Sequence, residues 1–244
     1  MKLETYKTVK QFVLDLLFPP TCASCGAIGS FLCASCASEI SLAEPACFIC
    51  NARKSSGSIC ASCRAHTPHL TRVWWAASYD NPHVRAAITQ FKYHSNRVLS
   101  ETLTDYIVAS IKKRAQAHDV RIPKDAVLLA VPLHPKRQRA RGFNQAELLA
   151  RRVAAEISLP LLQTGVLMRV KHTDPQAKTG GREKRAVNVA GAFAVHPGRV
   201  NEIQHKTIIL VDDIATTGST LNEAARVLKE AGAAHVWGLV VAKG

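Results

Sequence analysis

The sequence predicts an α/β protein, a parallel sheet flanked by helices, preceded by a small cysteine-rich module. Three observations carry this. Short fully apolar runs alternate with helical patterns through the last two thirds of the 244-residue chain, as strands buried on both faces require. All eight cysteines fall between positions 22 and 63 as four Cys-x2-Cys pairs. The composition changes sharply near residue 70, from Cys, Ser, Gly and Ala to the run Arg72-Val73-Trp74-Trp75.

Taken in order, Leu3, Tyr6, Val9, Phe12 or Val13, and Leu16 recur at helical spacing, with Lys2, Glu4, Lys7, Lys10 and Asp15 between them. That predicts an amphipathic helix over residues 1–19, ended by Phe18-Pro19-Pro20, rather than a secretory leader. A cytoplasmic location is the expectation. Residues 20–70 form the cysteine module and 71–244 the α/β domain. In the latter, Val73 to Tyr79 reads as a strand, and Val84 to Tyr93 and Val98 to Lys113 as helices. Val127 to Val131 is a buried-strand run, followed by a basic loop and a helix carrying Leu148, Leu149, Val153 and Ile157. Ile208 to Val211 is a second such strand. The helix after it carries Leu221, Ala224, Ala225 and Leu228, capped at Gly232, and Val236 to Val241 is a third strand.

No apolar run approaches the ~20 residues that span a bilayer. Apolar residues make up 47% and charged residues 20%, enough for a packed core and too apolar for a disordered chain. Lys and Arg total 32 against 18 Asp and Glu, a formal charge of +14 that points to polyanionic partners.

The cysteine pairs are Cys22 and Cys25, Cys33 and Cys36, Cys47 and Cys50, and Cys60 and Cys63. Eight thiolates are the complement of two tetrahedral Zn2+ sites, closed and therefore structural. A segment this poor in apolar residues needs metal to supply its folding energy. Structural disulfides do not suit a cytoplasm, and four redox pairs in series lack a thioredoxin-like setting. Sequential pairing is simplest; a crossed arrangement satisfies the same spacing, and His66 or His69 could stand in for a cysteine.

The run Ile208 to Thr220 holds four apolar residues, Asp212 and Asp213, then Ala215, Thr216, Thr217, Gly218, Ser219 and Thr220. Two acids at the carboxyl end of a buried strand can accept from vicinal sugar hydroxyls and sit near a ligand-borne Mg2+. The loop offers backbone N–H groups and four hydroxyls at a helix N-terminus, where an anion is favoured, and Gly218 permits positive φ. A capped helix alone needs one hydroxyl, not four with a glycine and two acids.

This run resembles the phosphoribosyl pyrophosphate (PRPP) signature of type I phosphoribosyltransferases. Phe91-Lys92-Tyr93 with Arg97, the run Val131 to Gln145, and Gln176 through Arg185-Asn188-Val189 to Phe193 resemble the ComF family, as does the four-pair cysteine module. The resemblance implies a type I phosphoribosyltransferase fold. Asp212 and Asp213 would hold the ribose with Mg2+, and residues 215–220 the 5′-phosphate. Pro132 to Gly142, with Lys136, Arg137 and Arg141, would be the pyrophosphate loop, longer and more basic than the usual glycine-rich turn. Lys178, Arg182 and Arg185 would lie in a mobile loop, Arg169 to Arg185, closing over the site. Lys92, Tyr93 and Arg97 would belong to a hood, within Trp74 to Arg97, for a base or DNA. Its further implications are PRPP as ligand and single-stranded DNA as partner, with DNA-uptake or helicase proteins beside it. The function implied is cytoplasmic DNA handling during natural transformation or DNA utilisation, with transferase activity toward an unspecified acceptor. A non-catalytic binding protein on the same fold, and a nucleobase-salvage transferase, are the alternatives.

Overall fold

A computed structural model describes residues 19–53, 57–93, 98–116, 121–171 and 189–244, and only the backbone of Tyr93. The expected N-terminal helix, Arg97, and the loop residues Lys178, Arg182 and Arg185 lie outside the described residues. In chain order the elements are α1 (Ala34–Ser38), β1 (Arg72–Ser78), α2 (Pro82–Tyr93), α3 (Leu99–Gln116), β2 (Val127–Ala130) and α4 (Pro135–Arg141). They continue with α5 (Gln145–Ile157), β3 (Leu167–Arg169), β4 (Phe193–Val195), β5 (Thr207–Ala215), α6 (Ser219–Glu230) and β6 (His235–Lys243).

The main sheet is parallel throughout, in the order β1-β6-β5-β2. An isolated parallel bridge from Leu128 to Leu161 extends it beyond β2. The central strands β5 and β6 are apolar along nearly their whole length because helices or ribbon segments cover both sheet faces. On one face Val127, Leu129, Ile208, Leu210, Val236 and Val240 pack with Leu221, Ala224 and Leu228 of α6. On the other Leu128, Ile209, Val211, Trp237 and Leu239 pack with Ile88 and Phe91 of α2, Leu103 and Ile107 of α3, and Leu149 and Val153 of α5.

The cysteine module contributes to both layers. Ala46, Cys47, Phe48, Ile59 and Cys63 belong to the first cluster, and Ile40 to the second with Phe31 and Leu32 against it. The two halves of the module therefore clasp opposite faces of the sheet.

Local signals explain the helix starts. Asn81 Oδ1 accepts from the N–H groups of His83 and Val84 at 2.9 and 3.1 Å, with Pro82 opening α2. Asn144 Oδ1 accepts from Ala146 N–H at 3.1 Å and starts α5. The chain departs from expectation between Pro135 and Arg141. This stretch, expected as a loop, is the helix α4, begun by His134 and Pro135 and closed by Gly142 at φ 80°. It buries none of its side chains, so no apolar periodicity announced it. The short β3–β4 pair is likewise unannounced, since three-residue strands carry too little pattern.

Gly238 on β6 lets α6 approach the sheet: a Cβ there would lie 2.9 Å from Leu221 Cδ1 and 3.2 Å from Val73 Cγ1. Gly238→Val is expected to lower the unfolding free energy by about 2–3 kcal/mol through overpacking. Urea denaturation of the variant against wild type checks this.

Candidate functional site

The acid pair lies within β5, which continues through Asp212 and Asp213 to Ala215, beyond the expected end at Val211. Ala215 is accordingly a strand residue: it is buried, and its carbonyl accepts from Gly244 N–H at 3.0 Å. The loop proper is Thr216 to Gly218, with α6 beginning at Ser219. Gly218 adopts φ 77°, the left-handed conformation that the sequence implied, as the residue capping α6. Thr217 and Ser219 hydroxyls lie 2.8 Å apart, and Ser219 N–H donates to Thr217 Oγ1 at 3.4 Å. The result is a hydroxyl-lined turn at the positive end of a twelve-residue helix.

Lys92 reaches Asp213 from α2, Nζ to Oδ1 at 2.9 Å, with side-chain exposures of 20% and 8%. Burial disfavours the ammonium, yet the Asp213 charge and hydrogen bond outweigh it and hold Lys92 charged. Asp212 has no such cation in contact among the described residues. Its burial and the neighbouring Asp213 charge push its carboxyl up to about 7, against the pull of Lys92 and of the hydrogen bond from Asp213 N–H at 2.8 Å.

The sequence places Lys92 in a base or DNA hood; in the structure its ammonium faces the second acid of the pair. Its position was readable, for Val84, Ile88 and Lys92 recur at four-residue spacing on the buried face of α2. A lysine on an apolar stripe signals a buried anionic partner. Trp74, at the start of the expected hood, is a core residue of β1, 2% exposed, with its ring 5.3 Å from that of Trp237.

Arg169 of β3 is half-buried, with its guanidinium 5.3 Å from the Phe193 ring centroid. Burial and the charge of Arg137 lower its pKa, while Asp212 raises it. The charges of Arg137, Arg169 and Asp212 thus act on one another, and two cations under mutual repulsion favour a bound polyanion. The sequence gives Arg169 only as a member of the mobile stretch. It also borders a cavity of about 830 Å³, with Pro132, Leu133, Gln138, Asn144 and Met168 among its walls. Arg141 donates to Gln145 Oε1 at 2.8 Å, and Lys136 stands exposed on α4.

The cysteines resolve into two groups, Cys22, Cys25, Cys33 and Cys36, and Cys47, Cys50, Cys60 and Cys63. Within each group the sulfurs lie within 4.8 Å of one another. The arrangement is sequential, and neither His66 nor His69 takes part. Sulfur separations of 3.6 Å for Cys25–Cys33 and 3.7 Å for Cys50–Cys60 match the edge of a tetrahedron of about 3.8 Å built on Zn–S bonds of about 2.3 Å. Backbone N–H groups of Cys33 and Cys60 approach the sulfurs of Cys22 and Cys47 at 3.4 and 3.5 Å. Burial and neighbouring sulfurs push Cys36 up to about 12, so four thiolates this close require a cation. Both sites fit Zn2+.

Two expectations follow. Lys92→Met strands the Asp213 carboxylate and is expected to cost about 3 kcal/mol of stability, most of it recovered on adding Asp213→Asn; chemical denaturation of the single and double variants reads this. Because the folded Asp212 carboxyl titrates above its ordinary value of 3.8, its own contribution to stability falls as pH rises from there toward about 7. Asp212→Asn is therefore expected to be more stable than wild type above neutral pH, by on the order of 2 kcal/mol, with the gap closing toward about pH 4. Thermal melts across pH check the sign.

Comparison with known proteins assigns both parts of the chain. A double zinc ribbon domain model matches residues 13–64, and a phosphoribosyl transferase domain model matches residues 142–243. Competence protein F of Haemophilus influenzae is 30% identical over 211 residues, covering 85% of this chain and 89% of that protein. Competence protein ComFC of Bacillus subtilis is 28% identical, covering 78% and 80%. The DNA utilization protein YhgH of Escherichia coli K12 is 27% identical, covering 72% and 74%. Among solved structures, adenine phosphoribosyltransferase from Leishmania tarentolae is similar over 68% of this chain and 76% of its own, at 12% identity and TM-score 0.32. Among the described residues no helix is long and apolar enough to cross a membrane. Two four-cysteine sites joined to a parallel-sheet domain, in a chain that matches competence protein F over most of both lengths, identify a member of the ComF family of competence and DNA-utilization proteins, a double zinc ribbon followed by a phosphoribosyltransferase domain.

Proposed function

We propose that this protein binds PRPP with Mg2+ and acts in cytoplasmic handling of single-stranded DNA. The observation that carries the reading is the juxtaposition, at one end of β5, of an acid pair, a hydroxyl-lined turn at a helix N-terminus, and the guanidinium groups of Arg137 and Arg169, whose charges act on each other and on Asp212. The three match the three parts of PRPP. Asp212 and Asp213 accept from the ribose hydroxyls. The N–H groups and hydroxyls of residues 216–220 hold the 5′-phosphate. Arg137 and Arg169, with Lys136 and Arg141 nearby, take the pyrophosphate, where guanidinium forks suit paired phosphate oxygens. Lys178, Arg182 and Arg185 would close over the bound ligand. Mg2+ bound to the pyrophosphate would lower its charge; Lys92, paired with Asp213, holds that carboxylate in place for the sugar.

In the transfer, the bond from C1′ to the pyrophosphate oxygen breaks and a bond from C1′ to an acceptor nitrogen forms. Pyrophosphate leaves with the bonding electron pair, and the acceptor nitrogen loses its proton. Closure over the site excludes water from an electron-poor C1′.

The DNA part rests on α4, whose Lys136, Arg137, Arg139 and Arg141 stand on a helix with no buried side chain. The names of the relatives, which speak of competence and DNA utilization, support it. Contacts of this kind release counterions, so affinity for an oligodeoxynucleotide should fall steeply with salt.

Calorimetry of PRPP binding, with and without Mg2+, tests the reading. Micromolar binding is expected in wild type, lost in Asp212→Ala/Asp213→Ala. Below about pH 7 the wild-type affinity should weaken as Asp212 protonates, and this slope should flatten in Asp212→Asn. Zinc-replete, folded wild type that binds no PRPP overturns the transferase reading and leaves a DNA-binding protein on this fold.

A further inference from the structure

The two zinc ribbons dock in different places, and among the described residues only the second touches the phosphate turn. The first is held to the helical layer. Ser24 Oγ lies 2.6 Å from His83 Nδ1, and Glu39 Oε2 lies 3.0 Å from His83 Nε2. Asn81 Nδ2 donates to the Glu39 carbonyl at 2.9 Å, and Tyr106 Oη donates to the Ala37 carbonyl at 3.1 Å. All of these partners lie on α2, its cap, or α3.

The second ribbon sits on the other face, against the turn itself. Phe48, in the Cys47-x2-Cys50 knuckle, is 2% exposed, and its Cε1 lies 2.9 Å from where a Cβ on Gly218 would stand. Only glycine at 218 admits the ring, so the φ of 77° and the ring position answer to each other. Phe48 is fixed in turn by an edge contact with Trp75, centroids 5.9 Å apart at 71°. The Lys243 ammonium stands 5.2 Å from the Phe48 ring and 5.1 Å from that of Trp75, and hydrogen-bonds Asn51 Oδ1 of the same knuckle. Just past the ribbon, His69 N–H donates to Asn222 Oδ1 in the first turn of α6 at 3.2 Å.

We infer that Phe48 is a positioning residue for the phosphate turn, and that the second four-cysteine site, through Phe48, presets the conformation in which residues 216–220 receive a phosphate. The inference rests on the PRPP reading for the identity of the ligand, not for the coupling. Phe48 acts by keeping Gly218 in the left-handed conformation in which it caps α6. A turn held in its bound shape loses less conformational entropy on binding. Metal at the second site holds the knuckle, and with it the ring. The first site makes no contact of this kind among the described residues, so two sites of the same ligand chemistry differ in what they govern.

The test compares Phe48→Ala, Phe48→Leu, Cys60→Ser and Ser24→Ala with wild type. The readouts are zinc content, hydrogen exchange of a peptide spanning residues 215–222, and affinity for PRPP with Mg2+. Phe48→Ala is expected to keep full zinc content, to exchange faster at residues 216–220, and to bind PRPP about tenfold more weakly. Phe48→Leu, which retains bulk over Gly218, should recover most of both effects. Cys60→Ser should lose one zinc and the protection of the turn together. Ser24→Ala, which loosens the first ribbon from His83, should leave turn exchange and affinity unchanged. Unchanged exchange in Phe48→Ala overturns the inference, and so does equal loosening of the turn in Ser24→Ala. Should wild type bind no PRPP, the exchange data still decide the coupling, while the ligand assignment alone fails.

Discussion

Burial of β5 on both faces is the constraint on which the rest of the structure depends. The strand pairs with β6 on one side and β2 on the other, so its backbone groups are satisfied within the sheet. Ile208 and Leu210 face one packed layer, Ile209 and Val211 the other. A strand so held cannot slip, because a shift by one residue would exchange its two buried faces. Its carboxyl end therefore delivers Asp212 and Asp213 to a fixed place. The same rigidity leaves two adjacent carboxylates in a partly desolvated setting. One is matched by Lys92, and the other is pushed toward neutrality.

The cysteine module completes the layers instead of standing apart from them. Too poor in apolar residues to fold by burial alone, it gains order from metal and passes that order to the sheet. Phe48 and Ile59 extend one apolar layer and Ile40 the other. The β1 edge of the sheet, which bears Trp74 and Trp75, is thereby enclosed from both sides. The four-cysteine sites, the core and the candidate site are linked by ordinary packing, the Phe48–Gly218 contact among those links.

Much of this was legible because it is local. The Cys-x2-Cys spacing, the helix caps, the buried runs around residues 127 and 208, and the turn at Gly218 each depend on a few neighbouring residues. Segments whose form depends on no apolar pattern were not legible. The α4 helix buries none of its side chains, and β3 and β4 are each only three residues long. Their geometry comes from a cap, a proline and long-range pairing, which periodicity does not register.

The sequence alone determined the alternating architecture, the two tetrathiolate sites, and the acid pair leading into a hydroxyl-rich turn, since residue type and short spacing settle each of these. The tertiary structure alone decided the sequential pairing of cysteines, the partnership of Lys92 with Asp213, and the seat of Phe48 on Gly218. Those contacts join residues far apart in the chain. Which of them meet depends on how the layers close around β5, and no local pattern encodes that distance.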